Sequence, residues 1–542
     1  MCAVKKKKNN MTSFVDTLFQ KIVAGEIPSY KVYEDDLTYA FLDINPLSLG
    51  HTLVIPKKKY TRFTDVPTEV AKALGRSVNL VAKAVAQATG CEDFNILQNN
   101  GKDAHQEVPH CHFHIIPKTD SSSGLIIQWP ASKNNEPEDI QAKIVQAIAD
   151  IQLKSSGSSE HRLPTIVQPR NYKLTLKPDL TAFTFDGVVD IECDVRESTS
   201  VIVLHAKELE VTVATCMQCS TGNSSTAATI VLNEKNDQLT LTFETPIQKG
   251  AMTLSLTFTG ILNDKMCGFY RSTYKSADDD TEKIMATTQF EATDARRAFP
   301  CWDEPAFKAT FDMTMVVKDK TLTSLSNMPI KSTTDLGENG MEYTYFRSPV
   351  MSTYLLAFII GDLESISGKT ASGTEVNVYC TPGKTSQCAF ALETGIKVLD
   401  FFTEYFGLGY PLPKCDMVGI PDFASGAMEN WGLITYRETA LFANDDSSAA
   451  AKQRVAYVVA HELAHQWFGN LVTMEWWSDL WLNEGFATWA GTLAVDHVFP
   501  HWDTWTQFSQ DDGSYALSTD ALLSSHPIQI NITDPAMIDQ VI

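Results

Sequence analysis

The sequence predicts a multidomain chain in three parts: a small α+β unit, a β-sandwich, and a unit in which helices take over. Length is the first reason. At 542 residues the chain exceeds a single core, since domains average roughly 150 residues. Texture is the second. Residues 163–365 read as short runs of alternating apolar and polar positions, and helical spacing appears before and after them. The third is KSSGSSEHR, a polar Gly/Ser-rich stretch at 154–162 that reads as a flexible linker. The expected boundaries are 12–152, a linker over 153–162, then 163–365 and 366–542.

In the first part, Leu53-Val54-Ile55 and the run from His112 to Ile116 look like strands. Ala71, Leu74, Val78, Val81, Ala82 and Val85 repeat at helical spacing, and residues 140–151 form a second amphipathic pattern. In the second part, NYKLTLKPD, FTFDGVVDIECDV, SVIVLHA, QLTLTF and MTLSLTF predict antiparallel strands. The apolar run from Tyr354 to Gly361 reads as a buried strand. From about residue 366 onward strands give way to helices.

Composition narrows the function. The chain is 44% hydrophobic and 20% charged, as soluble globular proteins are. A net charge of −22 argues against binding nucleic acid or an anionic membrane, which needs a basic face. No apolar stretch approaches the roughly 20 residues of a membrane helix. Lys5 to Lys8 form a basic run with no apolar region behind it, so a solvated leader is expected rather than a secretory signal. The 11 cysteines show no framework, and without an export signal reduced thiols and a cytoplasmic location are expected. Cys216 and Cys219 form a lone CxxC without the second pair a zinc ribbon needs. Asn223 and Asn531 sit in glycosylation sequons that a cytoplasmic chain leaves unused.

The chemistry concentrates at residues 461–465, HELAH, within the helical stretch RVAYVVAHELAHQWFG. Positions i and i+4 share a helix face, so His461 and His465 can aim ring nitrogens at one ion. Glu462 lies one position along, placed to take a proton from an attacking water without ligating. Catalytic zinc needs a third protein ligand. With eighteen residues intervening after His465, Glu484 in WLNEGFATW offers a carboxylate from a second helix. Upstream, GAMEN (426–430) reads as a glycine turn entering an edge strand. A carboxylate there, Glu429, suits capture of a cationic amine, and an exposed edge can pair with an extended peptide.

A second cluster lies at 110–114, HCHFH. In a strand, i, i+2 and i+4 face one way, which sets His110, His112 and His114 in a row. Two chemistries fit: metal binding, or attack on phosphorus by one imidazole with a neighbour supplying protons.

GAMEN, HELAH and NEGFA, with TQFEATDARRAFPCWDEPAFKATF (288–311) and MSTYLLAFIIGDL, resemble the gluzincin zinc aminopeptidases of the puromycin-sensitive and aminopeptidase N type over residues 163–542. The resemblance implies a β-sandwich (saddle) domain and a thermolysin-like α/β zinc peptidase domain. One zinc would be held by His461, His465 and Glu484, with Glu462 as general base. Glu429 and Glu291 would hold the free α-amine of a peptide. Gly426 and Ala427 would offer backbone contacts, Asn430 of the same motif would join the peptide site, and Asn483 would support it. In the family the chain continues past the position of Ile542 with a further tyrosine and more helices, so the resemblance also implies an incomplete catalytic domain and a poor peptidase.

LDINPLSLGHTLVIPKK (42–58), LQNNG (97–101) and QEVPHCHFHIIPK (106–118) resemble the histidine-triad (HIT) nucleotide hydrolases and transferases over residues 13–150. That implies His112 as nucleophile, with His110 and His114 orienting it and contacting phosphate. Asn99 and Gln106 would lie near the phosphate, Asp43 on the ribose, and His51 behind the pocket. A purine nucleotide substrate and a homodimer are further expectations. Some relatives hold a structural zinc through N-terminal cysteines; SFVDTLFQKI has none, so no metal is expected in this unit. Glu107 beside the phosphate residues leaves the substrate subclass open.

The residues support a two-activity enzyme that trims peptide N-termini and hydrolyses nucleotides. Two other readings stay open. The peptidase half binds peptides without cleaving them, or the chain joins two genes and only the nucleotide activity is intact.

Overall fold

The computed structural model describes residues 18–118, 124–125, 162–220, 222–276, 280–522 and 525–540. The basic N-terminal run, the helix expected over 140–151 and the linker up to residue 161 lie outside the described residues. Two compact units divide the chain between Ile140 and Gln141.

The first unit is one antiparallel sheet with helices. Its strands are β1 (Lys31–Glu34), β2 (Thr38–Leu42), β3 (Thr52–Pro56), β4 (Asp93–Gln98) and β5 (Phe113–Lys118), in the order β1-β2-β3-β5-β4. Alternate residues of a strand face opposite ways, and the two faces are used differently. Ala40, Val54 and Ile115 pack under α2 (Thr68–Thr89), whose Leu74, Val78, Val81, Ala82 and Val85 form the expected apolar stripe. Tyr39, Phe41, Leu53 and Ile55 meet Phe19 and Ile22 of α1 (Leu18–Val23). Gly90, at φ 68°, ends α2 in the left-handed conformation.

The strand expected from His112 starts one residue later, and His110 precedes it. Pro109 has no N–H for a ladder. The Cys111 N–H donates to the Tyr60 carbonyl, and pairing with β3 begins at Phe113↔Val54.

The second unit opens with the expected strands. Val167–Asp179, Thr184–Val195 and Gly250–Ile261 are long neighbours in an eight-stranded sheet. A three-stranded and a four-stranded sheet share its core. Two glycines fix register: Phe258 lies opposite Gly187, and Phe185 opposite Gly260. A Cβ on either glycine would come within 2.2 Å of the facing ring. Among the described residues, the strands of these three sheets pair antiparallel except where Thr310–Val317 runs parallel to Val167–Asp179, which departs from the all-antiparallel expectation. The apolar run from Tyr354 is also only half strand. Thr353–Leu355 is a 3-10 turn, and Phe358–Gly361 is the strand.

Strands do not give way to helices at 366. A five-stranded mixed sheet comes first: β7 (Glu364–Lys369), β8 (Glu375–Cys380), β9 (Lys414–Ile420), β10 (Ala427–Met428) and β11 (Leu433–Arg437), in the order β7-β8-β9-β11-β10. The expected boundary after 365 falls inside β7. Strands β8, β9 and β11 are parallel, and parallel neighbours need a crossover. Helix α3 (Ala389–Phe406) supplies the crossover between β8 and β9. Then come α4 (Ala449–Ala464), capped by the Ser448 hydroxyl accepting from the Ala451 N–H at 3.2 Å, and α5 (Trp481–Val498). Their contact is lined by small buried residues: Ala456 and Ala460 on α4, and Ala487, Ala490 and Ala494 on α5. At Gly491 a Cβ would stand 3.0 Å from the backbone nitrogen of His461. That close approach brings the start of α5 to the end of α4.

Candidate metal centre and candidate nucleotide pocket

Helix α4 ends in the HELAH segment. His461 and His465 share a face, and their Nε2 atoms lie 3.0 Å apart. Glu484, in the first turn of α5, brings Oε2 to 3.3 Å from His461 Nε2 and 3.7 Å from His465 Nε2. Donor atoms of the three residues all lie within 4.8 Å of one another. Tetrahedral zinc with ligands at ~2.0–2.1 Å separates its donors by roughly 3.3–3.4 Å, so this set fits a zinc-sized cation. The His465 Nδ1–H donates to the Phe468 carbonyl at 3.1 Å. That leaves the Nε2 lone pair for a cation, the usual arrangement of a ligating histidine. Gly469 makes room: its φ is 128°, and a Cβ would sit 3.2 Å from His465 Nδ1.

The rest of the site is acidic. Glu462 is buried, and its Oε2 has no hydrogen-bond partner in the structure. Burial, reinforced by Glu429 and Glu484 against the pull of His465, pushes its carboxyl well above the usual range. Burial likewise raises Glu291 and Glu429. Burial would also raise Glu484, but His465 and His461 outweigh it and hold that carboxyl below its usual range. Burial works against a charged His465, yet Glu429 and Glu484 raise its pKa well above the usual imidazole range, favouring a proton on Nε2 that a bound cation would replace. Burial lowers His461. The raised carboxyls reflect four acidic groups crowded into a buried site, a crowding that a bound dication would relieve.

The structure brings most of the predicted peptide-site residues together. Donor oxygens of Glu291, Glu429 and Glu484 lie within 4.8 Å of one another. Glu291 follows β6 (Glu282–Gln289), and Glu429 follows β10. Among the described residues, strand β10, containing Ala427, pairs only with β11 and stands at the sheet edge. The Gly426 carbonyl accepts from the Arg437 N–H at 2.9 Å and anchors the turn into it. Asn430 is turned inward: its Nδ2 donates to Thr435 Oγ1 at 3.1 Å, bracing the turn rather than the cleft. Asn483 donates from Nδ2 to the Tyr354 hydroxyl at 3.5 Å.

Two residues that sequence reasoning passed over tie this site together. Gln466 Nε2 and Asn470 Nδ2, both fully buried, donate to the Glu429 carbonyl at 3.2 and 2.8 Å. They couple the edge strand to the metal helix. A signal existed for Gln466, which follows Glu462 at i+4 and so is a polar residue on the buried face. Asn470 had none.

The first unit encloses a cavity of about 1040 Å³ lined by Phe41, Asp43, His51, Asn99, His112 and His114 among others. Its hydrogen bonds assign the imidazole tautomers. His112 Nδ1–H donates to the His110 carbonyl at 2.6 Å, which leaves the Nε2 lone pair available. His51 Nδ1 accepts from the Leu47 N–H at 3.2 Å, so its Nε2 carries the proton and donates to His114 Nδ1 at 3.0 Å. Neutral His114 is then protonated at Nε2, as a donor. Burial lowers the pKa of His51, His110 and His112, and burial with His112 and His51 nearby lowers His114 to about 4. Asp43, His51 and His114 have donor atoms within 4.8 Å, but the same bonds leave His51 no lone pair for a cation.

Two predicted nucleotide residues sit elsewhere. His110 is fully buried, its Nε2–H donating to the Pro56 carbonyl at 2.8 Å, and it braces His112 through its own carbonyl. Gln106 accepts from the Gly101 N–H at 2.7 Å and donates to the Thr61 carbonyl at 2.6 Å. It holds the loop rather than facing the cavity.

Family models match three segments. Residues 24–121 match the HIT domain, 168–355 the peptidase M1 N-terminal domain, and 390–542 the peptidase family M1 domain. A segment similar to HIT domains thus precedes two segments similar to the M1 peptidase domains. The M1 region is 52% identical over 385 residues to Aminopeptidase M1 of Arabidopsis thaliana, covering 70% of this chain and 43% of that protein. It is 46% identical over 389 residues to the puromycin-sensitive aminopeptidase of Caenorhabditis elegans, covering 71% and 41%. With Aminopeptidase 2, mitochondrial, of Saccharomyces cerevisiae it shares 44% identity over 396 residues, covering 72% and 40%. The chain spans less than half the length of these curated relatives. Among the described residues, no helix is long and apolar enough to cross a membrane.

Proposed function

We propose that the M1 region is a zinc aminopeptidase that removes residues one at a time from peptide N-termini, and that the HIT domain hydrolyses a purine nucleotide through a histidine nucleophile. The convergence of His461, His465 and Glu484 from two helices, with two further carboxylates in reach, carries the first part. In this reading those three residues hold one zinc. A bound zinc supplies Lewis acidity, lowering the pKa of water and polarising a carbonyl. Glu429 and Glu291 bind the ammonium group of the substrate, and the open edge of β10 pairs with its backbone. Anchoring the α-amine leaves room for one residue before the scissile bond. Glu462 takes a proton from the attacking water and returns it to the leaving amine.

The tautomer assignment supports the second part. The Nε2 lone pair of His112 attacks phosphorus, a P–N bond forms as the bond to the leaving group breaks, and water then cleaves the P–N bond. The Nε2–H of His114 faces the same cavity as a donor for phosphate oxygens.

The test measures both halves of the full chain. One zinc per chain, lost in His461→Ala, together with hydrolysis of an aminoacyl anilide, supports the peptidase reading. Zinc uptake with peptide binding but no turnover leaves a binding module. For the HIT domain, mass spectrometry after incubation with an adenosine phosphoramidate detects a nucleotidyl adduct on His112 that His112→Ala abolishes.

A further inference from the structure

We propose that Lys308 is a positioning residue for the metal centre: it holds the loop that follows the HELAH helix, and through that loop it fixes His465 and the edge at Glu429. What His465 and Glu429 bind is taken from the peptidase reading, on which this role rests.

The loop, residues 466–473, carries the contacts that orient the site. Its Phe468 carbonyl accepts from His465 Nδ1–H at 3.1 Å. Its Asn470 Nδ2 donates to the Glu429 carbonyl at 2.8 Å. The backbone turns tightly between them: the Asn470 N–H donates to the His465 carbonyl at 3.0 Å, and the Gly469 N–H to the Val472 carbonyl at 2.7 Å. Apolar packing does little to hold the tip, where Leu471 is 39% exposed and Val472 62%.

The carbonyls of the tip are held instead from the β-rich part of the second unit. Lys308 Nζ donates to the Asn470 and Leu471 carbonyls, both at 3.3 Å. The Tyr354 hydroxyl donates to the Gly469 carbonyl at 3.1 Å. Within the loop, Thr473 Oγ1 also donates to the Asn470 carbonyl, at 3.3 Å. The base of Lys308 is itself fixed, because Ala309 exchanges both main-chain hydrogen bonds with Met351, at 3.0 and 2.9 Å, and both residues are buried.

Among the described residues, no carboxylate pairs with Lys308 to explain its place. It is half-buried, and burial lowers its ammonium below the usual lysine range with no acid pulling it back up. An ammonium drawn from water without a counter-ion is costly unless hydrogen bonds compensate it. The two carbonyls supply that compensation, and a charged donor holds them more strongly than a neutral one. Removing the group that orients a ligating histidine through its second nitrogen weakens metal binding by ~10–100-fold. Lys308 acts one contact further out, through the Phe468 carbonyl.

The experiment compares Lys308→Met, which keeps an unbranched apolar stem, with Lys308→Arg, which keeps the charge and the donors, in the full chain. Chelator competition reads zinc affinity. Hydrogen exchange over residues 466–473 reads the loop in the metal-free chain. The expected result for Lys308→Met is zinc bound about fivefold or more weakly, with faster exchange in the loop. Lys308→Arg restores both. Unchanged zinc affinity in Lys308→Met, or a loss that Lys308→Arg does not restore, overturns the role. A lower melting temperature with zinc affinity unchanged reduces Lys308 to a structural contact and overturns it equally. The exchange measurement needs no metal, which separates this role from the peptidase reading. A wild-type chain that takes up no zinc contradicts that reading, and the exchange difference alone then decides for or against Lys308.

Discussion

His461 Nε2 and Glu484 Oε2 lie 3.3 Å apart although they belong to different helices. Nothing local enforces that distance. It follows from how closely α4 and α5 pack.

Gly491→Ala places a methyl group 3.0 Å from the His461 backbone nitrogen. Overpacking of this kind typically costs ~1–3 kcal/mol. Thermal denaturation reads the loss, and a chelator competition reads a weakened zinc affinity. Unchanged values for both would separate the helix contact from the metal site.

Glu462→Gln keeps the shape of the side chain and removes its basicity. Zinc content stays at one per chain, and anilide hydrolysis falls by about 10²–10⁴, the usual contribution of a general base. Loss of zinc in this variant would place Glu462 among the ligands instead.

Glu429→Ala removes the carboxylate at the β10 edge and leaves the carbonyl that Gln466 and Asn470 hold. KM for a peptide with a free α-amine rises by more than tenfold. Affinity for the same peptide acetylated at its N-terminus does not change. Equal losses for both peptides would argue against amine recognition.

Acid weakens the HIT domain. The imidazoles of His51, His110, His112 and His114 all have folded-state pKa values below the unfolded value of ~6.5, His114 at about 4. The unfolded state then binds more protons, so stability is fully present above pH ~6.5 and is lost as pH falls toward about 4. Hydrogen exchange over residues 18–118, corrected for intrinsic rates, shows less protection at pH 5 than at pH 7. Greater protection at pH 5 contradicts the assignment.

Sequence pattern foretold some of this and concealed the rest for physical reasons. The HELAH helix and the helix carrying Glu484 were legible from their motifs, HELAH and NEGFA, rather than from an apolar stripe, since neither helix has a strongly one-sided apolar face. The five-stranded sheet was not. KCDMVGI and LITYR are buried on both faces, so parallel strands β9 and β11 lack the period-two alternation that marks a strand. The HCHFH row was read as strand from end to end, but Pro109 delays pairing to Phe113. That redirects His110 to Pro56 and leaves His112 and His114 at the cavity. Gly491 carried no signal, because its role is to let two helices meet that are separated by a loop.

The most direct test of the central claim is X-ray absorption at the zinc edge on the purified full chain. The account predicts one zinc per chain with only nitrogen and oxygen donors at ~2.0–2.1 Å, two of them imidazoles, and a changed spectrum in Glu484→Ala. A sulfur shell at ~2.3 Å, or a spectrum that Glu484→Ala leaves untouched, would contradict it.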